Sequence, residues 1–390
     1  MPSVKVVIGA NFGDEGKGLM TDYFCAEAIN RKESCIVALC NGGAQRGHTV
    51  VTPDGIRHVF HHFGSGTLVG ADTYLSEKYI LNPMTFRKEY EELEAMGFFP
   101  KVYAHPWCMW STPYDMMLNQ IIEDNRGDKR HGSCGMGIWE TIKRYRELSF
   151  KNYTLTEFNE GNFAWKSVWL KYLRDYYVKE QLKNVAHKEW IDILYSGALI
   201  SNFIKDVEFM CNHITWIDAT ILQSYDTVVF ENGQGLLLDQ NQTEYGNNTT
   251  PSNTGIKNPY EIISKFLPNS NVEICYVTRT YLTRHGAGRF DEECNKNEIN
   301  ASIDDKTNVP NQYQGCLRYG KLDADALLER IEADVTSIDN GTYNVSLAIT
   351  HLNEYGNKKL HSKLAIFENV YFSYGETRND GFKIQLTTQN

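Results

Sequence analysis

Five short apolar runs, separated by helix-like segments, constrain the fold of this chain more than any other feature. The runs are rich in β-branched residues and span Val4–Ala10, Cys35–Cys40, Thr227–Phe230, Val272–Val277 and Val345–Thr350. Strands that are buried on both faces of a parallel sheet have this composition. Helices are predicted between them, for example at Pro83–Met96, Pro113–Glu123 and Ala324–Ala333. The alternation predicts an α/β fold with a mostly parallel central sheet and helices on both faces.

The domain organisation follows from what does not interrupt this pattern. No repeat, proline-rich linker or low-complexity block breaks the 390 residues, so residues 1–390 are predicted to form a single large domain. The interval of about 144–216 is rich in Tyr, Trp, Lys and Leu and is predicted to be a helical elaboration. Period-two alternation at 363–367 predicts additional strands at a sheet edge.

Composition and charge exclude several classes of protein. Hydrophobic residues make up 42% of the chain, which is too many for a disordered protein. Lys and Arg number 39 against 49 Asp and Glu, and the net charge of 39 − 49 = −10 argues against direct DNA binding. No run approaches the length of a membrane span, and the N-terminus lacks signal-peptide architecture. Nine cysteines without CxxC spacing predict reduced thiols and a cytoplasmic location.

A glycine-rich turn follows the first predicted strand and has the sequence Asn11-Phe-Gly-Asp-Glu-Gly-Lys-Gly18. Glycines allow close approach to an anion, free N–H groups at a helix start bind it, and Lys17 would add a positive charge. The spacing of a standard P-loop is absent, so a simple tight turn with a surface lysine stays open. Asp14 and Glu15 would repel a phosphate unless they bind a metal ion or transfer a proton.

This turn resembles the signature loop of adenylosuccinate synthetases. Four later segments resemble that family in the same order: Gly42-Gly-Ala-Gln-Arg-Gly-His-Thr49, Phe230-Glu-Asn-Gly-Gln-Gly-Leu-Leu-Leu-Asp239, Ser252-Asn-Thr254 and Thr283-Arg-His-Gly-Ala-Gly-Arg-Phe290. The family's version of the last segment is Thr-Arg-Val-Gly-Ala-Gly, so His285 stands at its valine. The resemblance implies the P-loop-like fold of this family and a somewhat shortened C-terminal part.

The resemblance also implies a reaction, in which aspartate is joined to C6 of a 6-oxopurine nucleotide. Asp14 would take the N1 proton, so that O6 attacks the γ-phosphate of a nucleoside triphosphate, and His48 would support O6 as donor and acid, with Lys17 as the third catalytic residue. A Mg²⁺ cofactor would be held by Asp14 and the carbonyl of Gly47. The triphosphate would be bound by residues of the two glycine loops and of the C-terminal turns, namely Gly13, Glu15, Gly16, Lys17, Gly18, Gly47, His48, Thr49, Asn353 and Gly375.

The same resemblance implies sites for the other two substrates. Those for the monophosphate nucleotide are Asn11, Asp14, Gln45, Ser133, Cys134, Arg144, Arg146, Gln234, Thr250 and His285. Ser133 and Cys134 belong to Gly132-Ser-Cys-Gly-Met-Gly-Ile138, which replaces a loop with two threonines, and a thiol is a weaker donor than a hydroxyl. Either Arg144 or Arg146 would cross the interface of a homodimer, although a solvated helix face explains both. Aspartate would be bound by Gln312, Tyr313, Gln314 and Arg318.

Two departures from the family bear on substrate choice. The family reads GTP through an aspartate in Thr-Lys-Leu-Asp, whereas this chain has Thr350-His-Leu-Asn353. An amide offers one acceptor and one donor, which suits adenine, so ATP or dATP is predicted as the phosphoryl donor. In addition, Gly315 or Cys316 stands where the family has an arginine that contacts the ribose hydroxyl, which favours a deoxyribonucleotide.

Together these departures resemble the phage branch of the family, which converts dGMP, aspartate and ATP into N6-succino-2-amino-2′-deoxyadenylate for diaminopurine synthesis. An ordinary member that acts on IMP with GTP is the alternative within the class. A non-catalytic nucleotide-binding regulator is the alternative from another class, and the retention of Asp14, Lys17, His48 and Gln234 argues against it. A dehydrogenase is excluded because no GxGxxG follows the first strand.

Overall fold

The computed structural model describes residues 1–127, 130–147, 152–182, 188–246, 248–305, 307–308, 315–338, 343–381 and 383–386. Within them, the strands are β1 (Ser3–Gly9), β2 (Cys35–Leu39), β3 (His48–Val51), β4 (Arg57–Phe60), β5 (Asp72–Leu75), β6 (Ile80–Leu81), β7 (Val102–Ala104), β8 (Met109–Trp110), β9 (Ile214–Trp216), β10 (Thr227–Gly235), β11 (Asn271–Arg279), β12 (Leu282–Arg284), β13 (Glu293–Cys294), β14 (Arg318–Gly320), β15 (Asn344–Thr350), β16 (Asn369–Phe372) and β17 (Lys383–Leu386).

Ten of these strands form the central sheet in the order β17-β16-β15-β11-β1-β10-β2-β5-β7-β9. Every neighbouring pair is parallel except β16 and β17, which are antiparallel at one edge. Smaller sheets are formed by β12-β14-β13, β3-β4 and β6-β8. All five apolar runs are strands of the central sheet, as predicted.

The helices connect these strands, and several of them begin at a residue whose side chain caps the first turn. They are α1 (Lys17–Asn30), α2 (Pro83–Ala95), α3 (Pro113–Arg126), α4 (Ile138–Glu147), α5 (Leu155–Glu160), α6 (Phe163–Glu180), α7 (Lys188–Leu194), α8 (Gly197–His213), α9 (Lys257–Phe266), α10 (Lys296–Ile299), α11 (Ala324–Val335) and α12 (Lys358–His361). Thr112 and Asp115 form a capping box at the start of α3, where Pro113 has no N–H to satisfy. The interval predicted as a helical elaboration contains α5 to α8 and ends at β9.

The core lies on both faces of the central sheet, because successive strand residues point in opposite directions. In β2, Val37 and Leu39 pack in one hydrophobic cluster with residues of α1, α2, α3, α6 and α8. Ile36 and Ala38 pack in a second cluster with residues of α9 and α11. The predicted α/β fold, with a mostly parallel sheet covered on both faces, is therefore confirmed.

The C-terminal part of the chain adds edge strands at a different place from the alternating residues. Leu364–Ile366 form a short 3₁₀ turn in which Leu364 is buried and Ile366 is exposed. The edge strands are instead β16 and β17. Among the described residues, no helix is both long and apolar enough to span a bilayer.

Candidate active site at the carboxyl edge of the sheet

The carboxyl ends of the parallel strands β1, β2, β10, β11 and β15 meet at one edge of the central sheet, and the loops that follow them contact each other. The hydroxyl of Thr350, at the end of β15, donates to the backbone carbonyl of Glu15 over 2.8 Å. A Cβ on Gly18 would lie 2.8 Å from the carbonyl oxygen of Thr49, so the second glycine loop packs directly on the start of α1. Ligands of open α/β sheets bind at such an edge.

The first glycine loop is shaped from inside by the carboxylate of Glu15. One oxygen, Oε1, accepts hydrogen bonds from the backbone N–H groups of Asn11 (3.1 Å) and Gly13 (2.9 Å). Gly13 and Gly16 have φ angles of 117° and 94°, a region that favours glycine. A Cβ on Gly13 would also lie 3.0 Å from Cα of Gln234, at the end of β10. These contacts explain why the loop needs glycine at both positions.

Lys17, the first residue of α1, is buried beneath this loop. Its ammonium group donates to the carbonyl of Gly13 and lies 4.0 Å from Oε2 of Glu15. Burial lowers the pKa of Lys17, although the nearby carboxylates of Glu15 and Asp14 oppose this effect. Burial raises the pKa of Glu15. A bound phosphate would replace the Gly13 carbonyl as acceptor for the ammonium group.

Asp14 is held by two basic side chains from other segments of the chain. Its Oδ2 lies 2.9 Å from Nε2 of His285, and its backbone carbonyl accepts from Nε of Arg279, the last residue of β11. Burial alone would raise the pKa of Asp14, but His285, Arg279 and Lys17 outweigh it and lower this pKa to about 2. Burial lowers the pKa of His285, yet Asp14 and Asn308 prevail and raise it. Asp14 is therefore ionised at neutral pH.

His48, the first residue of β3, forms a buried network with Glu231 of β10. Nδ1 of His48 lies 2.6 Å from Oε1 of Glu231, whose other oxygen accepts from Nη2 of Arg46 (3.3 Å) and from the backbone N–H of Ser65 (3.1 Å). Burial lowers the pKa of His48 to about 4, although Glu231 opposes it. The imidazole is therefore neutral at pH 7, with its proton on Nδ1, and its Nε2 is an acceptor in this state.

Two glutamine side chains lie near each other above Gly42. A Cβ on Gly42 would lie 3.0 Å from Nε2 of Gln45 and 3.3 Å from Oε1 of Gln234. Neither polar atom of the Gln45 amide, nor Oε1 of Gln234, has a hydrogen-bond partner among the described residues, and Gln234 has a φ of 57°. Buried amides without partners indicate a place for a polar ligand. The side-chain amide of Asn11 differs because both of its polar atoms have partners: Nδ2 donates to the hydroxyl of Thr278, and Oδ1 accepts from Arg330.

The comparisons with known proteins agree with this geometry. A sequence profile of the adenylosuccinate synthetase family matches residues 6–344. The chain belongs to the adenylosuccinate synthetase family.

Curated members of the family share about a quarter to a third of their residues with the matched part. The adenylosuccinate synthetase of Saccharophagus degradans is 32% identical over 302 residues, which cover 74% of this chain and 64% of that protein. The enzyme of Chlorobium chlorochromatii is 28% identical over 307 residues, covering 75% and 65%. The chain thus matches slightly less than two thirds of the length of these relatives.

Two solved structures show the same fold. A fully ligated adenylosuccinate synthetase from Plasmodium falciparum superposes with a TM-score of 0.67 at 21% identity, over 90% of this chain and 77% of that one. The succinoaminodeoxyadenylate synthetase of cyanophage S-2L, bound to dGMP and to dATP as an energy donor, superposes with a TM-score of 0.64 at 14% identity, over 100% and 96%. Identities this low establish only the fold.

The loop expected to bind the family's nucleoside monophosphate lies beside His285. A Cβ on Gly132 would lie 2.8 Å from Cα of Gly286, and the hydroxyl of Ser133 donates to Oδ1 of Asn119 in α3 over 2.9 Å. Burial raises the pKa of the Cys134 thiol to about 11, so this group is neutral. Thr250 is held by its backbone N–H, which donates to the carbonyl of Leu238 at 2.8 Å.

The two candidate interface arginines have different environments. Arg144 is 1% exposed, and its guanidinium donates to both oxygens of Asp115 at 3.1 Å, to Asn152 at 3.0 Å and to the carbonyl of Trp110 at 2.5 Å. All three of its nitrogens have partners inside the helical region, so none is left for a nucleotide or a second subunit in this arrangement. Arg146 is exposed on the same helix. The exposure of Arg146 makes it the more accessible of the two candidates for a dimer interface.

Two C-terminal turns carry the remaining residues that are expected to bind the triphosphate. Asn353 is exposed after β15, and Gly375 follows β16. The two turns are joined by the backbone N–H of Leu352, which donates to the carbonyl of Ser373 at 3.2 Å. Asn353 thus lies in a turn at the carboxyl edge, three residues after Thr350, whose hydroxyl contacts the first glycine loop.

Of the four residues expected to bind aspartate, only Arg318 belongs to the part of the chain that the structure describes. Gln312, Tyr313 and Gln314 lie outside the described residues. Arg318 donates from Nε and Nη2 to Glu293 at 2.8 and 2.5 Å, and from Nη1 to the carbonyls of Gly286 (3.2 Å) and Gly288 (3.0 Å). A substrate carboxylate would therefore have to displace Glu293 to reach this guanidinium.

Three residues of the site were not singled out by sequence reasoning: Glu231, Arg46 and Arg279. Each nevertheless carried a signal. Glu231 and Arg279 are charged residues at the ends of apolar runs, which is costly unless the charge is paired. Arg46 is a charged residue within the second glycine loop. In the structure, its Nε and Nη1 have no hydrogen-bond partner among the described residues.

Proposed function

We propose that this protein is a C–N ligase that joins L-aspartate to C6 of a 6-oxopurine nucleoside monophosphate, at the cost of a nucleoside triphosphate. The observation that carries the proposal is the placement of an ionised Asp14, a buried Lys17 and the imidazole of His48 on adjoining loops. A Cβ on Gly18 would lie 3.2 Å from Cβ of His48, so the two catalytic loops are in contact. The family membership supports the same reaction class.

The proposed first step transfers a phosphoryl group to the purine. Asp14 accepts the N1 proton, the lone pair on O6 attacks the γ-phosphorus, and the nucleoside diphosphate leaves. Because the pKa of Asp14 is about 2, the carboxylate is a weak base. The N1 proton must therefore move to Asp14 while O6 forms its bond to the γ-phosphorus. Lys17 offsets the charge that gathers on the phosphate oxygens.

The proposed second step forms the C–N bond. The neutral amine of aspartate attacks C6 and gives up one proton, and the bond from C6 to the phosphorylated oxygen breaks. The released inorganic phosphate takes up that proton by way of Nε2 of His48. His48 assists O6 as a donor only after its Nε2 gains a proton. The carboxylate of Glu231 on Nδ1 stabilises the resulting imidazolium, since it is ionised with a pKa of about 2. Burial raises the pKa of Glu231, but Arg46 and His48 outweigh it.

The donor set near the triphosphate fits Mg²⁺. No group of three or more His, Cys, Asp or Glu residues with metal-binding geometry occurs among the described residues. Mg²⁺ is commonly held by one or two protein oxygens, with substrate phosphates and water completing the octahedron. Oδ2 of Asp14 has a second lone pair beside the one that faces His285, and the backbone at Gly47 is exposed. These two residues would hold the ion, which would neutralise charge on the phosphates.

The finer proposal is that dGMP is the acceptor and ATP or dATP the donor. The exposed amide of Asn353 supports it, because an amide pairs with the N6–H and N1 of adenine and does not reproduce a carboxylate. Gly315 and Cys316 provide no charged donor for a ribose 2′-hydroxyl. The cyanophage enzyme with this fold was bound to dGMP and dATP. The product would be N6-succino-2-amino-2′-deoxyadenylate, a precursor of diaminopurine in phage DNA.

The alternative is the reaction of IMP with GTP, and the sequence relatives favour it because they are ordinary adenylosuccinate synthetases.

We further propose a homodimer in which Arg146 reaches the partner's nucleotide.

A four-way assay separates these possibilities. The protein is incubated with aspartate, Mg²⁺ and either dGMP or IMP, each with ATP or GTP, and product is measured by chromatography. Turnover of dGMP with ATP is expected. Turnover only of IMP with GTP would contradict the substrate proposal. Nucleotide binding without turnover in any combination would contradict the ligase proposal and favour a regulator. Asp14→Ala should abolish turnover, whereas Asp54→Ala, in the exposed turn between β3 and β4, should not.

A further inference from the structure

Asp14 and four other residues form a closed ring of hydrogen bonds and ion pairs. Nε2 of His285 lies 2.9 Å from Oδ2 of Asp14 and 2.8 Å from Oδ1 of Asn308. Nδ2 of Asn308 donates to Oδ2 of Asp305 over 2.7 Å, and its backbone N–H donates to Oδ1 over 3.0 Å. Arg279 closes the ring, because Nη2 donates to Asp305 at 3.3 Å and Nε donates to the carbonyl of Asp14.

The donors and acceptors of this ring have only one consistent arrangement. An ionised carboxylate only accepts, so Asp305 fixes the amide of Asn308 with Nδ2 towards it and Oδ1 towards His285. Nε2 of His285 then faces two oxygen acceptors, the other being Oδ2 of Asp14, and must carry a proton. Nδ1 of His285 is buried and has no partner among the described residues. The ring therefore presents an N–H group to one defined oxygen of Asp14.

We infer that His285 is a positioning residue for Asp14, which holds Oδ2 through its Nε2–H and leaves Oδ1 to accept the purine N1 proton. The inference deepens the proposed function and rests on it. The position is informative because the family segment that this part of the sequence resembles has valine there, and valine has no donor. Asn308 and Asp305 hold the imidazole of His285 in its orientation towards Asp14, so they act on Asp14 through His285.

Replacement of His285 tests this role through the separation of kcat from KM. A hydrogen bond to a charged group corresponds to a factor of about 10 to 100. His285→Ala is therefore expected to lower kcat by about 10- to 100-fold, with KM for nucleotides and aspartate changed less than about threefold. His285→Gln, which keeps an N–H donor of similar reach, should recover most of kcat. Arg289→Ala, which removes an exposed guanidinium in the same segment, is the matched control and should behave as wild type.

The outcomes distinguish the inference from the function on which it rests. Wild-type kcat in His285→Ala, a rise in KM alone, or no recovery in His285→Gln would overturn the positioning role while leaving the ligase proposal intact. Absence of turnover in the wild-type protein would overturn the ligase proposal itself. If His285→Ala does not fold, the nitrogen shifts of histidine in the wild-type protein, measured by NMR, decide the question. A proton on Nε2 that responds to Asp14→Asn supports the contact, and a neutral ring protonated only on Nδ1 overturns it.

Discussion

Glu231→Gln should destabilise the fold, because Glu231 is the only carboxylate that directly contacts both Arg46 and His48 among the described residues. The side chain is fully buried and accepts hydrogen bonds from Arg46, His48 and Ser65. The substitution keeps the volume and one acceptor oxygen, but it removes the charge. The guanidinium of Arg46, 2% exposed, would then be buried without a counter-ion.

The size of the effect follows from the pKa of Glu231. This pKa falls from an ordinary value of 4.5 to about 2 in the folded protein, a difference of 4.5 − 2 = 2.5. At about 1.36 kcal/mol per pH unit, the ionised form contributes about 3.4 kcal/mol at pH 7. Since the folded pKa is depressed, the contribution is complete above the unfolded value and is lost as the pH falls towards 2. At pH 3 about 1.4 kcal/mol would remain.

Urea unfolding of wild type and Glu231→Gln at pH 7 and pH 3 measures this difference. The variant should be less stable by about 3 kcal/mol at pH 7, in line with a broken buried ion pair, and the gap should roughly halve at pH 3. Glu27→Gln is the control, because Glu27 forms only an exposed pair with Arg31 and should unfold like wild type. Equal stability at pH 7, or a gap that does not shrink, would refute the reasoning.

Three further predictions follow from the other contacts. Asn353→Asp should change the ratio of kcat/KM for GTP over ATP by about 10- to 100-fold in favour of GTP; an unchanged ratio in paired rate measurements would show that the base is read elsewhere. Arg144→Met leaves Asp115 buried without its cation and should lower the free energy of unfolding by about 3–5 kcal/mol, while Arg146→Met should leave the Tm unchanged; equal Tm values would contradict this. Ser133→Ala should raise KM for the monophosphate several-fold but not KM for the triphosphate, and a reversed pattern would move Ser133 to the other nucleotide.

The strands and the first glycine loop could be predicted because their signals are local. The apolar composition of a run such as Val272–Val277 predicts that the strand is buried. Glycines at 13 and 16 predict the left-handed backbone conformation between a strand and a helix. The meeting of these loops at one edge then follows from parallel strand direction.

The side-chain networks could not be predicted because they join residues far apart in the chain. Nothing near His48 in the sequence indicates Glu231, which lies 183 positions later. Arg144 is a second example. Its helix is largely polar, which predicts an exposed side chain, yet this side chain is buried against Asp115 and the ring of Trp110. The orientation of a long side chain depends on the partner that tertiary packing supplies, and local periodicity carries no record of that partner.

Transfer of the purine keto oxygen tests the central claim most directly. The nucleoside monophosphate that supports turnover is labelled with ¹⁸O at C6 and converted with aspartate and the triphosphate, and the released phosphate is analysed by ³¹P NMR. If O6 attacks phosphorus between the first glycine loop and the loop of His48, one labelled oxygen appears in each phosphate formed. Unlabelled phosphate, with the ¹⁸O released into water, would contradict the account.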